Sequence, residues 1–343
     1  MLYDYLIYIG RFQPVHSGHV HVIREALKIS KNLIIVLGSH QKAPDIRNPL
    51  PTRMRIQLIK ASLTPDERER VEFAPQVDHT YNDDRWIASI QASVNTLIHR
   101  KFTADPINIG IVGYEKDHTS FYLRKFPQYE FVKVPPLNMQ NSTDFRRAIF
   151  ERNTNLLHSY CQNTEVFNIL AEWMKSEDFD RLEAEWLHVK DYKEQWAKSP
   201  YAPTFVTVDA VIRQSGHLLV VTRKAMPGAG LWALPGGFVG QTETLEEAVL
   251  REVYEETRLA VPKPALKGSL VKHRTFDDPH RSTRGRTITE CFDFKLNENY
   301  ELPHVKGSDD AEKAFWLPFD EVVRNRDRWF EDHFAMIETM VGL

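Results

Sequence analysis

Glu252, Glu255 and Glu256 in the stretch REVYEETRL are spaced i, i+3, i+4, so on a helix all three carboxylates project from one face. Like charges at that spacing destabilise a bare helix by roughly a few tenths of a kcal/mol per pair, and a divalent cation reverses the sign. Hard oxygen donors suit Mg²⁺ or Mn²⁺, which neutralises a pyrophosphate and can deprotonate an attacking water. Arg251, four residues before Glu255, is an ion-pair partner that orients the set. A second cluster lies at residues 10–19, GRFQPVHSGH, where two imidazoles, an arginine and two glycines follow the apolar run LIYI. Gly, Pro and His after such a run mark a strand handing over to a helix, here opened by Ser17. The unpaired N–H groups and positive dipole of a helix start form a phosphate site, to which His16 and His19 add donors.

The elements that must position these groups fall into two patterns. From residue 5 to about 150, strands YLIYI, NLIIVLG, RVEFA, INIGIVG and YEFVKV alternate with helices, including PTRMRIQLIKASL, DRWIASIQASVNTLIHR, one near SFYLRKF and STDFRRAIFE. This alternation predicts a mostly parallel sheet wrapped by helices, with ligands gathered at the carboxyl ends of the strands. Residues 153–197 read as helical and carry no motif, ending before the two prolines of SPYAP. Beyond Ser199 the chain is strand-rich: TFVTVDAVIR, HLLVVTRK, TITECFDFKL and KAFWLP surround one strong helix from Glu243 to Thr257. The expected organisation is a first domain over 1–185, a helical, proline-containing linker over 186–203 and an α+β domain over 204–343. Lys42 and Arg47, in the loop after the second strand, add charge for a polyphosphate.

A length of 343 residues fits two domains. Hydrophobic content of 42% with 27% charged residues is globular, and no run approaches the ~18 apolar residues of a membrane helix. The acid-bearing start MLYDYLIYIG does not read as a secretory signal. Two distant cysteines make neither a disulfide framework nor a zinc pattern, so a reduced cytoplasm is expected. A net charge of −3 gives no general reason to expect a nucleic-acid partner. A homo-oligomer is left open.

The stretch from Gly236 to Leu259, GGFVGQTETLEEAVLREVYEETRL, resembles the Nudix box, with Gly237, Glu243, Arg251, Glu252, Val253, Glu255, Glu256 and Leu259 in register. The one departure is Arg258 at the family's glycine. A helix that closes there in the left-handed conformation costs on the order of 1 kcal/mol with arginine, unless it ends differently. The basic loop FDDPHRSTRGRTIT is similar to the corresponding loop of ADP-ribose pyrophosphatases in that superfamily, which makes Arg281, Arg284 and Arg286 candidate phosphate contacts. KGSDDAEKAFWLP resembles the loop that brings an acid over the pyrophosphate, with Asp309 and Asp310 as candidates, Asp309 preferred.

His16, Ser17, Gly18 and His19 meet the HxGH signature of the nucleotidylyltransferase superfamily, and NSTDFRR is similar to its second signature. The resemblance implies a Rossmann-like domain in which Gly10, Arg11, Phe12, Lys42, Arg47, Ser142 and Thr143 bind ATP phosphates, Ser142 caps a helix and Arg146, favoured over Arg147, grips phosphate oxygens. GRFQPVHSGH with RNPLPTRMR and DDRWI looks like the archaeal-type nicotinamide mononucleotide adenylyltransferases, where an aromatic, here Trp86, stacks on the nicotinamide ring; the alternative for Trp86 is a core position. The whole chain resembles the bifunctional family that fuses this enzyme to a Nudix ADP-ribose pyrophosphatase. ATP, nicotinamide mononucleotide, NAD and ADP-ribose are the implied ligands, with Mg²⁺ or Mn²⁺ in both domains. Two rivals remain: adenylyl transfer to another small phosphate, and a second domain that only senses nucleotides. Intact Glu252, Glu255 and Glu256 argue against the sensor, which has no use for a metal-activated water.

Overall fold

The structure, a computed structural model, describes residues 2–99, 107–114, 124–137, 140–298, 301–308 and 311–343. Two units divide the chain, Met1–Glu183 and Ala184–Leu343.

In the first unit, apolar runs become strands β1 (Tyr3–Gly10), β2 (Ser30–Leu37), β3 (Val71–Pro75), β4 (Ile109–Gly113) and β5 (Glu130–Lys133). They form one parallel sheet in the order β3-β2-β1-β4-β5. Leu33 to Leu37 are fully buried, the continuous apolar run expected of a strand covered on both faces. Helices α1 (Ser17–Ile29), α2 (Thr52–Ala61), α3 (Pro65–Glu69) and α4 (Asp83–His99) connect the strands. α1 buries Val20, Val22, Ile23, Ala26 and Leu27 at helical spacing, and α4 buries Ile90, Val94, Leu97 and Ile98. Strand order reverses between β1 and β4, so the loops after these strands flank the crevice where such sheets bind ligands. Of the helix expected near SFYLRKF, residues 120–123 lie outside the described residues.

After β5, the helix α5 (Ser142–Phe150) carries the STDFRR segment, and the motif-less stretch forms helices α6 (Thr154–Tyr160), α7 (Thr164–Trp173) and α8 (Glu177–Trp196). The division between the units falls inside α8, and only residues 197–203 of the expected linker are irregular.

In the second unit, β6 (Thr204–Gln214), β7 (His217–Arg223), β10 (Leu270–Phe276), β11 (Arg286–Lys295) and β12 (Ala311–Pro318) run in the order β10-β11-β6-β7-β12, with short β8 (Trp232–Ala233) on β7 and β9 (Gly236–Phe238) on β6. β6 and β11 pair in parallel and the other pairs are antiparallel. Helix α9 (Leu245–Thr257) buries Ala248, Val249 and Val253 in a core with Val208, Ala210, Ile212, Phe292 and Phe294. It starts two residues later than the sequence suggests, because Thr244 caps it: the hydroxyl accepts from Glu247 N and the Glu247 carboxylate answers the Thr244 backbone. α10 (Lys263–Gly268), α11 (Phe319–Arg324) and α12 (His333–Val341) complete the unit.

Candidate active sites

At the end of β1, Phe12 adopts φ +52° and is 1% exposed, with its ring edge-on to Tyr8 at 5.2 Å and 4.8 Å from His19. A Cβ on Gly10 would come within 2.9 Å of that ring, so the turn needs glycine. Phe12, expected among the phosphate-binding residues, therefore anchors the turn and has only its backbone for a ligand. Helix α1 opens at Ser17, as the sequence suggests, and the residue before it supplies the cap. His16, not Ser17, is the N-cap: its Nδ1 accepts from Gly18 N at 3.1 Å, and His19 Nδ1 accepts from His16 N at 3.3 Å. Ser17 instead donates to Gln140 Oε1. Accepting at Nδ1 leaves Nε2–H as the donor of each neutral ring. Burial, then the neighbouring His16 ring 3.9 Å away, pushes the His19 imidazole well below its usual range, so it acts uncharged.

Helix α5 brings the second motif to this loop. Asn141 takes the cap assigned to Ser142, accepting from Asp144 N at 2.9 Å, while the Ser142 hydroxyl donates to Pro14 O at 3.0 Å. An Asn carbonyl reaches the N3 amide, which frees the serine to pin the helix to the β1 loop. Half-buried Arg146 donates to Gln13 O at 2.8 Å and to Thr143 Oγ1 at 3.2 Å, whereas exposed Arg147 pairs with Asp144 at 3.0 Å. Burial, reinforced by Arg11 and Arg47 and opposed by Asp45, lowers Arg146 to about 10. A guanidinium kept from water and crowded by two other cations is stabilised by an anion beside it. Asp45 organises the loop after β2, taking the Arg47 and Asn48 amides at 2.7 Å each and pairing with Lys42 at 3.4 Å. Two residues absent from the sequence reading hold these loops together. Arg55, 1% exposed, donates to Arg11 O, Gly38 O and Ser39 O; Asp78 accepts Ser39 N at 2.9 Å and its hydroxyl at 2.6 Å. Trp86, in the first turn of α4 after β3, is half-buried on the core and meets Phe126 at 5.8 Å.

In the second unit the three glutamates do share a helix face, but Arg251 stands among them. Its Nη1 donates to Glu252 at 2.9 Å and Glu255 at 2.8 Å, while Nε and Nη2 grip Glu243 at 3.0 and 2.7 Å. The fork holds the Glu243 carboxyl down at about 2. Glu256 turns away to accept Gly236 N at 3.0 Å, and a Cβ on Gly237 would strike Glu252 Oε1 at 2.4 Å. Hence no group of three His, Cys, Asp or Glu converges as metal ligands among the described residues, contrary to the simple one-face expectation. The donor set nevertheless fits a hard cation: burial raises both Glu252 and Glu256, the latter to about 8, with each also raised by a neighbouring carboxylate. Arg251→Lys keeps the charge but cannot span four acceptors, so the hydrolysis that the Nudix resemblance implies should fall about 10- to 100-fold, with the adenylyl transfer implied for the first unit as the unchanged control. Arg258 closes α9 at φ +48°, the strained left-handed option, and donates to Ser308 Oγ at 3.1 Å.

A cleft beside Glu256 is lined by Asp209, Arg223, Phe238, Arg281, Arg284 and His333, among others. Arg281, expected on phosphate, is buried and forks onto Asp332 at 2.9 and 3.0 Å, so its charge is committed within the wall. Arg284 lies over the Phe238 ring at 5.3 Å. Arg286 bonds the Asp277 backbone and faces its carboxylate at 3.8 Å. Asp309 and Asp310 lie outside the described residues. Arg223, Asp209 and His333 escaped the sequence reading; an arginine ending the buried strand HLLVVTR was the available signal. Burial and Arg284 lower the Arg223 guanidinium, a second mark of an anion site.

Residues 203–340 match the NUDIX domain family and residues 7–148 the Cytidylyltransferase-like family. A nicotinamide/nicotinic acid mononucleotide adenylyltransferase of Acinetobacter baylyi is 30% identical over 190 residues, 52% of this chain and 98% of that protein. An ADP-ribose pyrophosphatase of Methanocaldococcus jannaschii is 34% identical over 139 residues, 38% of this chain and 76% of that protein. The crystal structure of a bifunctional NMN adenylyltransferase/ADP ribose pyrophosphatase from Francisella tularensis, complexed with AMP and a manganese ion, is 34% identical, covers 99% of both chains and superposes with a TM-score of 0.92. Matched in the same order and over nearly its whole length, this chain belongs to the family of bifunctional NMN adenylyltransferase/ADP-ribose pyrophosphatases.

Proposed function

We infer that the first unit transfers the adenylyl group of ATP to nicotinamide mononucleotide, giving NAD and pyrophosphate, and that the second hydrolyses ADP-ribose to AMP and ribose 5-phosphate. The observation that carries the transferase reading is that Arg146, from α5, is bonded to the same β1–α1 loop whose end His16 and His19 cap. A mononucleotide phosphate is already ionised at neutral pH, so attack on the α-phosphate needs positioning and charge stabilisation rather than a base. His16 and His19 present Nε2–H, Arg146 neutralises the phosphate under attack, and Arg11, Lys42 and Arg47 with the backbone of Gly10, Phe12, Ser142 and Thr143 hold the triphosphate. In the second unit Arg223 and Arg284 meet the diphosphate, while Arg281 shapes the wall. Glu252, Glu255 and Glu256 would hold a divalent cation, Mg²⁺ or Mn²⁺, which when bound supplies charge neutralisation and an activated water. We assign the same metal to the triphosphate of the first unit. No described helix is long and apolar enough to cross a membrane, and substrates drawn from nucleotide pools fit a cytoplasmic enzyme.

Incubation with ATP, Mg²⁺ and a panel of mononucleotides, and separately with nucleoside diphosphate derivatives, tests both halves. NAD from the first and AMP from ADP-ribose in the second are expected; preference for a phosphate lacking a pyridine ring would sink the transferase reading. Trp86→Ala should weaken mononucleotide binding by roughly 1–3 kcal/mol with little change for ATP, as read by calorimetry. Unchanged affinity with a lower melting temperature would make Trp86 a core residue only.

A further inference from the structure

Neither matched family reaches the motif-less helices, since one match ends at residue 148 and the other begins at 203. Yet one carboxylate from that stretch is built into the hydrolase unit. Glu185, on α8, is 3% exposed, and its Oε2 accepts the Gly228 backbone N–H at 3.1 Å. A carboxyl group this buried is costly unless hydrogen-bonded, and the Gly228 N–H meets one of its oxygens. Gly228 belongs to the loop 224–231 between β7 and β8. It sits at φ +77°, so close to Phe330 that a Cβ would come within 2.3 Å. One residue earlier, the Pro227 carbonyl accepts Arg223 Nε at 3.0 Å, and the Arg223 guanidinium lies 4.0 Å over the Phe330 ring. Gly230 N donates to Arg223 O at 2.8 Å and Arg223 N to Leu231 O at 2.9 Å, so the loop folds back on the strand end that carries the arginine. Arg223, Ala225 and Phe330 all line the cleft.

We propose that Glu185 is a positioning residue for ADP-ribose hydrolysis: by holding the Gly228 N–H it seats the 224–231 loop on Phe330 and so fixes the Arg223 guanidinium against the substrate diphosphate. This rests on reading the cleft as an ADP-ribose hydrolase. Arginine is useful to a diphosphate only while its fork is held in one orientation, and the Pro227 carbonyl is what orients it here.

The test is steady-state hydrolysis of ADP-ribose by the full-length protein as wild type, Glu185→Ala, Glu185→Gln, Arg223→Ala and the Glu185→Ala/Arg223→Ala double variant, with adenylyl transfer as the folding control. Glu185→Ala should raise KM about tenfold with kcat changed by no more than about twofold, the pattern of lost ground-state positioning. Gln keeps an acceptor oxygen and should bring KM to within about threefold of wild type. In the Arg223→Ala background, Glu185→Ala should add nothing, because the two act through one grip. An unchanged KM, full additivity, or a Gln variant as impaired as Ala overturns the proposal. If Glu185→Ala also loses adenylyl transfer it is misfolded, and Glu185→Asp, whose carboxylate is drawn back by one methylene, decides: a raised KM supports the grip and an unchanged one overturns it. Absence of ADP-ribose hydrolysis in wild type would take down both readings, whereas normal wild-type hydrolysis with an indifferent Glu185 takes down this one alone.

Discussion

Glu256→Gln should lower ADP-ribose hydrolysis in Mg²⁺ by about 10²-fold or more while leaving adenylyl transfer intact, because it removes an anionic donor from the site that would hold the metal. Gln keeps an oxygen for Gly236 N, so the local backbone survives. Stability in chelator should move the other way. Burial lifts the folded Glu256 carboxyl to about 8, far above its value in an unfolded chain. A group raised in this way contributes stability that is present at low pH and is lost as pH rises through the folded value, since the unfolded chain releases its proton first. The variant has no proton to lose. Its melting temperature should match wild type near pH 4.5, and the gap in its favour should widen toward pH 8. Calorimetric scans in chelator at both pH values, with hydrolysis assayed in Mg²⁺, check the two signs. Wild-type hydrolysis rates in this variant would mean that Glu256 only holds the Gly236 backbone and is no metal ligand.

His19→Ala should depress NAD synthesis by about 10²-fold or more, the cost of removing one preorganised donor from a phosphate undergoing attack. The ring also packs on Phe12 and closes the α1 capping box, so some loss of thermal stability in the first unit accompanies it. ADP-ribose hydrolysis by the same preparation is the control. Parallel loss of both activities would show unfolding or coupled sites rather than a catalytic histidine.

The parallel sheet was readable in the sequence because strands buried on both faces appear as unbroken apolar runs such as LIIVL, and the helix α9 because its charge and apolar periods agree. β10 was not, since LVKHRTF is an edge strand with five consecutive exposed residues and thus no apolar signature. The serines that stand out at the starts of α1 and α5 open these helices without capping them. In each, a serine occupies the first helical position while the preceding His16 or Asn141 supplies the acceptor, a choice between adjacent polar residues that local propensity does not make. Candidates carried by motifs were within reach, including His16, His19, Arg146 and the glutamates. The groups that hold them were not. Arg55 looks like any helix arginine until its carbonyl partners on the β1 and β2 loops are known, and Arg281 looks free until Asp332, 51 residues away, is folded onto it. Such pairings are made by tertiary structure, and sequence spacing carries no trace of them.

His16 starts a helix with one edge of its ring and would face phosphate with the other. A neutral imidazole is the side chain that carries an acceptor and a donor on opposite edges of one rigid plane. Drift at this position is therefore closed from both sides. Asparagine or serine would preserve the cap but is too short to carry its own donor out to where Nε2–H stands; lysine or arginine would preserve a donor and uncap the helix. A fold kept without the chemistry would still tolerate an asparagine here, at the head of an intact helix.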